Sequence, residues 1–172
     1  MKFIILIIFS LQIRFFLSQT FYLSPLTSCV TCNGNLSNPY PDIQTALSSN
    51  PYLGQMTLCL LDGVYSGLNN TNITRMYMGF TITSQNGPNF SIFDCQGNST
   101  VFYLSSSNFY IYNVTMKNCY KGQTGDPNAS TSGGAISVID SVIYLENLII
   151  YNSYAYYGGA FSCINSTCYV SS

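Results

Sequence analysis

The chain contains no histidine and very little charge. Of its 172 residues, 5 are Lys or Arg and 6 are Asp or Glu, a formal net charge of −1. Without histidine, neither a Ser–His–Asp nor a Cys–His constellation can be assembled. The shortage of bases leaves no positive patch, which disfavours a nucleic-acid partner. A zinc site is disfavoured too: Cys29 and Cys32 form a Cys-x-x-Cys pair, but no second such pair and no histidine complete it. Calcium needs about 6–8 oxygen ligands, usually with several carboxylates, and no run of acids supplies them.

The six acids are also scattered. Asp42 precedes a short helical pattern as its N-cap, Asp62 falls in a turn, and Asp126 lies in a polar insert. That leaves Asp94, Asp140 and Glu146 on repeated segments, in registers that do not bring them together. A glycosidase needs two carboxylates on opposite sides of the scissile bond. The sequence therefore designates no catalytic residue, no metal ligand and no cofactor. Solubility must rest on Asn, Ser and Thr.

Residues 1–18 read as a secretory signal peptide, with Lys2 ahead of an apolar run from Phe3 to Phe9 and small residues at Ser10 and Ser18. Arg14 interrupts the run, and a membrane span needs about 20 apolar residues. No other segment is long enough to cross a bilayer. Export agrees with eight Asn-x-Ser/Thr sequons, at Asn35, Asn69, Asn72, Asn89, Asn98, Asn113, Asn128 and Asn165. It also agrees with seven cysteines as disulfide candidates: Cys29, Cys32, Cys59, Cys95, Cys119, Cys163 and Cys168. Their odd number leaves at least one thiol over. Cys29 and Cys32 are expected to form a local bridge. Cys163 and Cys168 are either buried thiols or a bridge across one turn.

The chain repeats itself. Gly133-Gly134-Ala135-Ile136 returns twenty-five residues later as Gly158-Gly159-Ala160-Phe161, and Ser137 to Ser141 matches Ser162 to Ser166. A third copy lies upstream at an offset of thirty-four: Phe102 against Ile136, Phe109 against Ile143, Asn113 against Asn147, Asn118 against Asn152. The extra nine residues sit in the insert at 121–132. A period of about 20–50 residues marks a stacked repeat, with insertions at one point per copy. Within each copy, apolar residues alternate with polar ones in three short segments separated by polar breaks, which predicts three strands per repeat. Equivalent positions should then stack into ladders. Tyr110, Tyr144 and Tyr169 are equivalent and outward-facing, and are expected to form a vertical tyrosine stack that is a candidate ligand surface.

The Gly-Gly-Ala-(Ile/Phe) doublets resemble the repeats of polymorphic outer-membrane-protein-type β-helices. The copies Thr115-Met116-Lys117-Asn118 and Ile149-Ile150-Tyr151-Asn152 keep the Asn of that family's second motif and lack its Phe. More widely, the chain from about Tyr40 onward resembles the pectin-lyase-like superfamily, and large secreted or surface proteins of protists carry similar repeats. The resemblance implies an all-β, right-handed, single-stranded parallel β-helix. It also implies that the helix starting with Ile43-Gln44-Thr45-Ala46-Leu47 caps the first coil. The expected layout is a signal peptide (1–18), a Cys-containing segment with the capping helix (19–56), and β-helix coils (57–172), with more coils expected to follow Ser172.

The function expected from this is a non-catalytic scaffold or adhesion module, secreted or at the cell surface. Its partners would be glycans or surface proteins, and it would self-associate through its open C-terminal coil. Two alternatives stay open: the N-terminal part of a carbohydrate-active enzyme whose catalytic coils lie downstream, and the ligand-sensing ectodomain of a membrane receptor.

Overall fold

A computed structural model describes residues 19–29, 31–51, 55–121 and 133–172. The expected signal peptide lies outside the described residues, as do Asp126 and the Asn128 sequon. The described chain runs β1 (Gln19–Leu23), α1 (Ile43–Ser49), β2 (Met56–Leu60), β3 (Gly63–Ser66), β4 (Ile73–Met76), β5 (Thr81–Ser84) and β6 (Ser91–Asp94). It continues through β7 (Phe102–Ser105), β8 (Asn108–Tyr112), β9 (Thr115–Lys117), β10 (Tyr120–Lys121), β11 (Ile136–Ile139) and β12 (Val142–Glu146). The last elements are β13 (Ile149–Tyr151), β14 (Tyr154–Ala155), β15 (Phe161–Ile164) and β16 (Thr167–Ser171).

The protein is all-β, with parallel sheets. One six-stranded sheet has the order β1-β2-β5-β8-β12-β16; two four-stranded sheets have the orders β15-β11-β7-β4 and β13-β9-β6-β3; β10 and β14 form a small fourth. The expected repeat registers are those observed. Phe102 pairs with Ile136 and Ile136 with Phe161, while Phe109 pairs with Ile143 and Ile143 with Cys168.

Each sheet turns one set of alternate side chains inward, and all three large sheets contribute to a single buried cluster. A chain of rings crosses it. Tyr65 meets Phe93 at 5.7 Å, Phe93 meets Phe102 at 5.5 Å, Phe102 meets Phe80 at 5.8 Å, and Phe80 meets Phe109 at 5.3 Å. The tilted and edge-on geometries suit the quadrupoles of the rings. The Tyr65 hydroxyl lies 2.8 Å from the carbonyl oxygens of both Leu23 and Leu61 and donates its one proton to either, so the buried hydroxyl is not orphaned.

α1 begins where Asp42 accepts from the Thr45 amide at 2.7 Å. Its buried face is Ile43, Ala46 and Leu47, all part of the same core. The sheet extends further toward the N-terminus than the sequence pattern indicated: β1 pairs in register with β2 ahead of the expected first strand. β1 is short and polar at Gln19 and Thr20, so its alternation is hard to see without its partner. β4, β10 and β14, of four, two and two residues, are too short to show an alternation in the sequence.

The turns between strands explain the polar breaks. Three sets of equivalent residues adopt a left-handed backbone: Ser106, Asp140 and Asn165; Asn113 and Asn147; Asn118 and Asn152, all with φ between 47° and 57°. Asn and Asp tolerate this region better than other residues with a β-carbon. The glycine doublet has two separate causes. Gly133 has a φ of +73°, and a β-carbon on Gly134 would collide with the Gly159 carbonyl oxygen of the next repeat.

Candidate functional site

The outward face of the six-stranded sheet carries the expected tyrosine column. Pairing places Thr57 beside Thr81, Thr81 beside Tyr110, Tyr110 beside Tyr144 and Tyr144 beside Tyr169. Tyr110 and Tyr144 stack at 4.8 Å with planes 4° apart, and Tyr144 and Tyr169 at 4.7 Å and 11°. In this arrangement the ring faces cover one another. The column therefore offers ring edges and a row of hydroxyls, with Tyr169 the most exposed member at 51%. Tyr112, on the same face, has its pKa raised by burial, with further contributions from Tyr110, Glu146 and Tyr144.

Among the described residues, Asp42, Asp62 and Asp94 each have partners of their own. Asp94, on β6, pairs with Lys117 at 3.2 Å. It also accepts from the Asn118 amide at 3.0 Å and from the Gln96 backbone at 3.0 Å. Partial burial raises its pKa, but the bonds from Asn118 and Gln96 and the Lys117 charge outweigh that and hold it below the usual carboxylate value. Asp140 sits in the turn between β11 and β12, and Glu146 ends β12 on the six-stranded sheet. Asp42 is committed to α1 and to the Asn69 amide, and Asp62 accepts from Asn86 at 2.9 Å. No group of three His, Cys, Asp or Glu side chains that could hold a metal occurs among the described residues. Nor is any described helix long and apolar enough to cross a membrane.

Six cysteines pair as Cys29–Cys32, Cys95–Cys119 and Cys163–Cys168. Of the two readings of Cys163 and Cys168, the bridge is the one observed, spanning the turn from β15 to β16. Cys59 remains a free thiol on the outward face of β2, and burial raises its pKa. Three disulfides suit an oxidising compartment.

Of the sequons, Asn35, Asn69, Asn72, Asn89, Asn98 and Asn165 are exposed, while Asn113 is half-buried in a ladder. The hydroxyl residue two positions on is buried after Asn69, Asn89, Asn98 and Asn113, at Thr71, Ser91, Thr100 and Thr115. It is exposed after Asn35, Asn72 and Asn165, at Ser37, Thr74 and Thr167.

One aromatic pair was missed from sequence. Tyr120 and Tyr154 stack at 5.6 Å and 11° between β10 and β14. Their separation is again thirty-four residues, so the repeat offset could have revealed them.

No family model, curated protein or solved structure matches the chain.

Proposed function

We propose that this chain is a non-catalytic extracellular or cell-surface module, built as a right-handed parallel β-helix of the pectin-lyase-like kind and serving adhesion or scaffolding. Parallel pairing at constant register, strand after strand, supports the solenoid reading. So does one core fed by all three large sheets. Such a coil stack makes a rigid rod whose sides carry columns of equivalent residues.

The observation that carries the non-catalytic part is the fate of the carboxylates. Among the described residues, Asp42, Asp62 and Asp94 are each bonded to neighbours, while Asp140 lies in the turn before β12 and Glu146 at its far end. A hydrolase or lyase of this fold would need them gathered on one face. The signal-like start, the sequons and the three disulfides support secretion and glycosylation.

The test is expression in a eukaryotic secretory host followed by assay on polygalacturonate and neutral glycans. Secreted protein whose gel mobility shifts on N-glycosidase treatment, with no turnover, is the expected result. Turnover abolished by substituting Asp94, Asp140 or Glu146 would replace this reading with the enzymatic one.

A further inference from the structure

The three sets of left-handed turns are not equivalent in what their side chains do. At two of them the side chains bond to one another up the repeats: Asn147 donates to Asn113 at 2.8 Å, Asn152 to Asn118 at 3.4 Å, and Asn118 to Asp94 at 3.0 Å. The third set, Ser106, Asp140 and Asn165, lies between the strands of the four-stranded sheet and those of the six-stranded sheet. There the structural work is done by neighbouring serines. Ser141 Oγ donates to the Ile139 carbonyl and accepts from the Ser107 amide, and Ser166 Oγ donates to the Ile164 carbonyl and accepts from the Ser141 amide. Among the described residues, the side chains of Ser106, Asn108, Asp140, Asn165 and Thr167 have no hydrogen-bond partner.

These uncommitted groups line an open groove of about 430 Å³ that crosses three successive repeats. It is a shallow groove open to solvent, lined mainly by polar groups. Asn108, Val142 and Thr167 form one wall, and two residues further along the same strands come Tyr110, Tyr144 and Tyr169. Side chains two apart in a strand share a face, so the tyrosine column borders the groove. Adjacent strands are about 4.8 Å apart, which makes the groove about 10 Å long across three repeats.

We infer that this groove binds a neutral glycan, with about two pyranose rings laid along the repeats. Hydroxyls, amides and one carboxylate at repeat spacing match the alternating donors and acceptors of a sugar chain, while Val142 and the ring edges meet its C–H surface. Among the described residues, Asp140 is the only charged residue lining the groove and no base there offsets it, so uronates and other anionic chains are repelled. The inference rests on the adhesion reading and supplies its ligand class. The sugar has two sources: a free or partner-borne chain, or the glycan on Asn165, whose sequon hydroxyl Thr167 also lines the groove.

The experiment uses the disulfide-bonded protein made with and without glycosylation. Ligand-observed NMR titration would employ tetramers of N-acetylglucosamine, glucose and mannose, with tetragalacturonate as the anionic comparison. At least one neutral tetramer should bind the unglycosylated protein better than tetragalacturonate does. Asp140→Asn keeps a residue that tolerates the left-handed turn, and Asn108→Ala lies on an exposed strand position; each should weaken binding about tenfold, the worth of one good hydrogen bond. Equal binding by the glycosylated protein assigns the groove to free chains, and loss of binding only in that form assigns it to the Asn165 glycan. If no neutral tetramer binds the unglycosylated protein, if both variants bind unchanged, or if tetragalacturonate is preferred, the inference is wrong. Turnover of a bound tetramer would instead overturn the non-catalytic reading and leave the groove standing.

Discussion

Asn147 shows how much a single turn residue carries. Its φ is 49°, and its side-chain amide donates to Asn113 in the repeat below. Alanine there pays for the left-handed backbone, about 1–2 kcal/mol, and also loses the bond. Glycine escapes the backbone term. Asn147→Ala should therefore destabilise more than Asn147→Gly in urea unfolding, and the opposite order would show that the turn is not strained. Asp94 gives the pH counterpart. Its folded pKa is depressed by Asn118, Gln96 and Lys117, so its contribution is present above the unfolded aspartate value of about 3.9 and disappears as pH falls through the folded value. The difference in Tm between the parent and Asp94→Asn should be constant at neutral pH and shrink on acidification. A difference that grows in acid would reverse the sign assigned here.

Among elements, the tyrosine column and the disulfides make separable contributions. Tyr144 is stacked on both sides and Tyr169 on one. With about 0.5–1.5 kcal/mol per aromatic pair, Tyr144→Ala should cost roughly twice what Tyr169→Ala does. Equal losses in chemical denaturation would mean that the column is decorative. Cys95–Cys119 closes a separation of 24 residues and Cys163–Cys168 one of 5. On loop-closure entropy the first contributes about 3–4 kcal/mol and the second about 2. Paired Cys→Ala variants, compared by calorimetry, should keep that order.

On the scale of the whole molecule, the two ends of the sheets differ. At one, the Ser24 amide bonds to the Tyr40 carbonyl and the Tyr22 amide to that of Gly34, and α1 packs its apolar face into the core. At the other, β15 and β16 have neighbours on one side only, with Val170 63% and Ile164 40% exposed. Neither strand contains a charge or a proline, the usual guards against edge pairing. The described chain should associate through these strands, and Val170→Lys should reduce that association. Sedimentation velocity over a range of concentrations measures it; a monomer at all concentrations would show that the edge is protected.

Much of this arrangement was readable from residue order. The offsets of thirty-four and twenty-five residues specify which strands pair and in what register. A parallel sheet with one buried face cannot slip by one residue without turning its apolar set outward. The tyrosine stack and the asparagine pairs follow from the same offsets. Other features depend on groups far apart in sequence and were settled only in the folded chain. β1 is recognisable as a strand through β2, thirty-seven residues on. Cys95 meets Cys119, leaving Cys59 unpaired, because β6 and β9 are neighbours in one sheet. The tyrosine faces cover one another because strand spacing brings the rings into stacking distance. Alternation specifies which side of a strand a residue occupies, but only packing decides whether its polar atoms are already spent. That is why Asn113, Asn118 and Asn165 look alike in the sequence, yet only Asn165 turns an uncommitted side chain toward solvent.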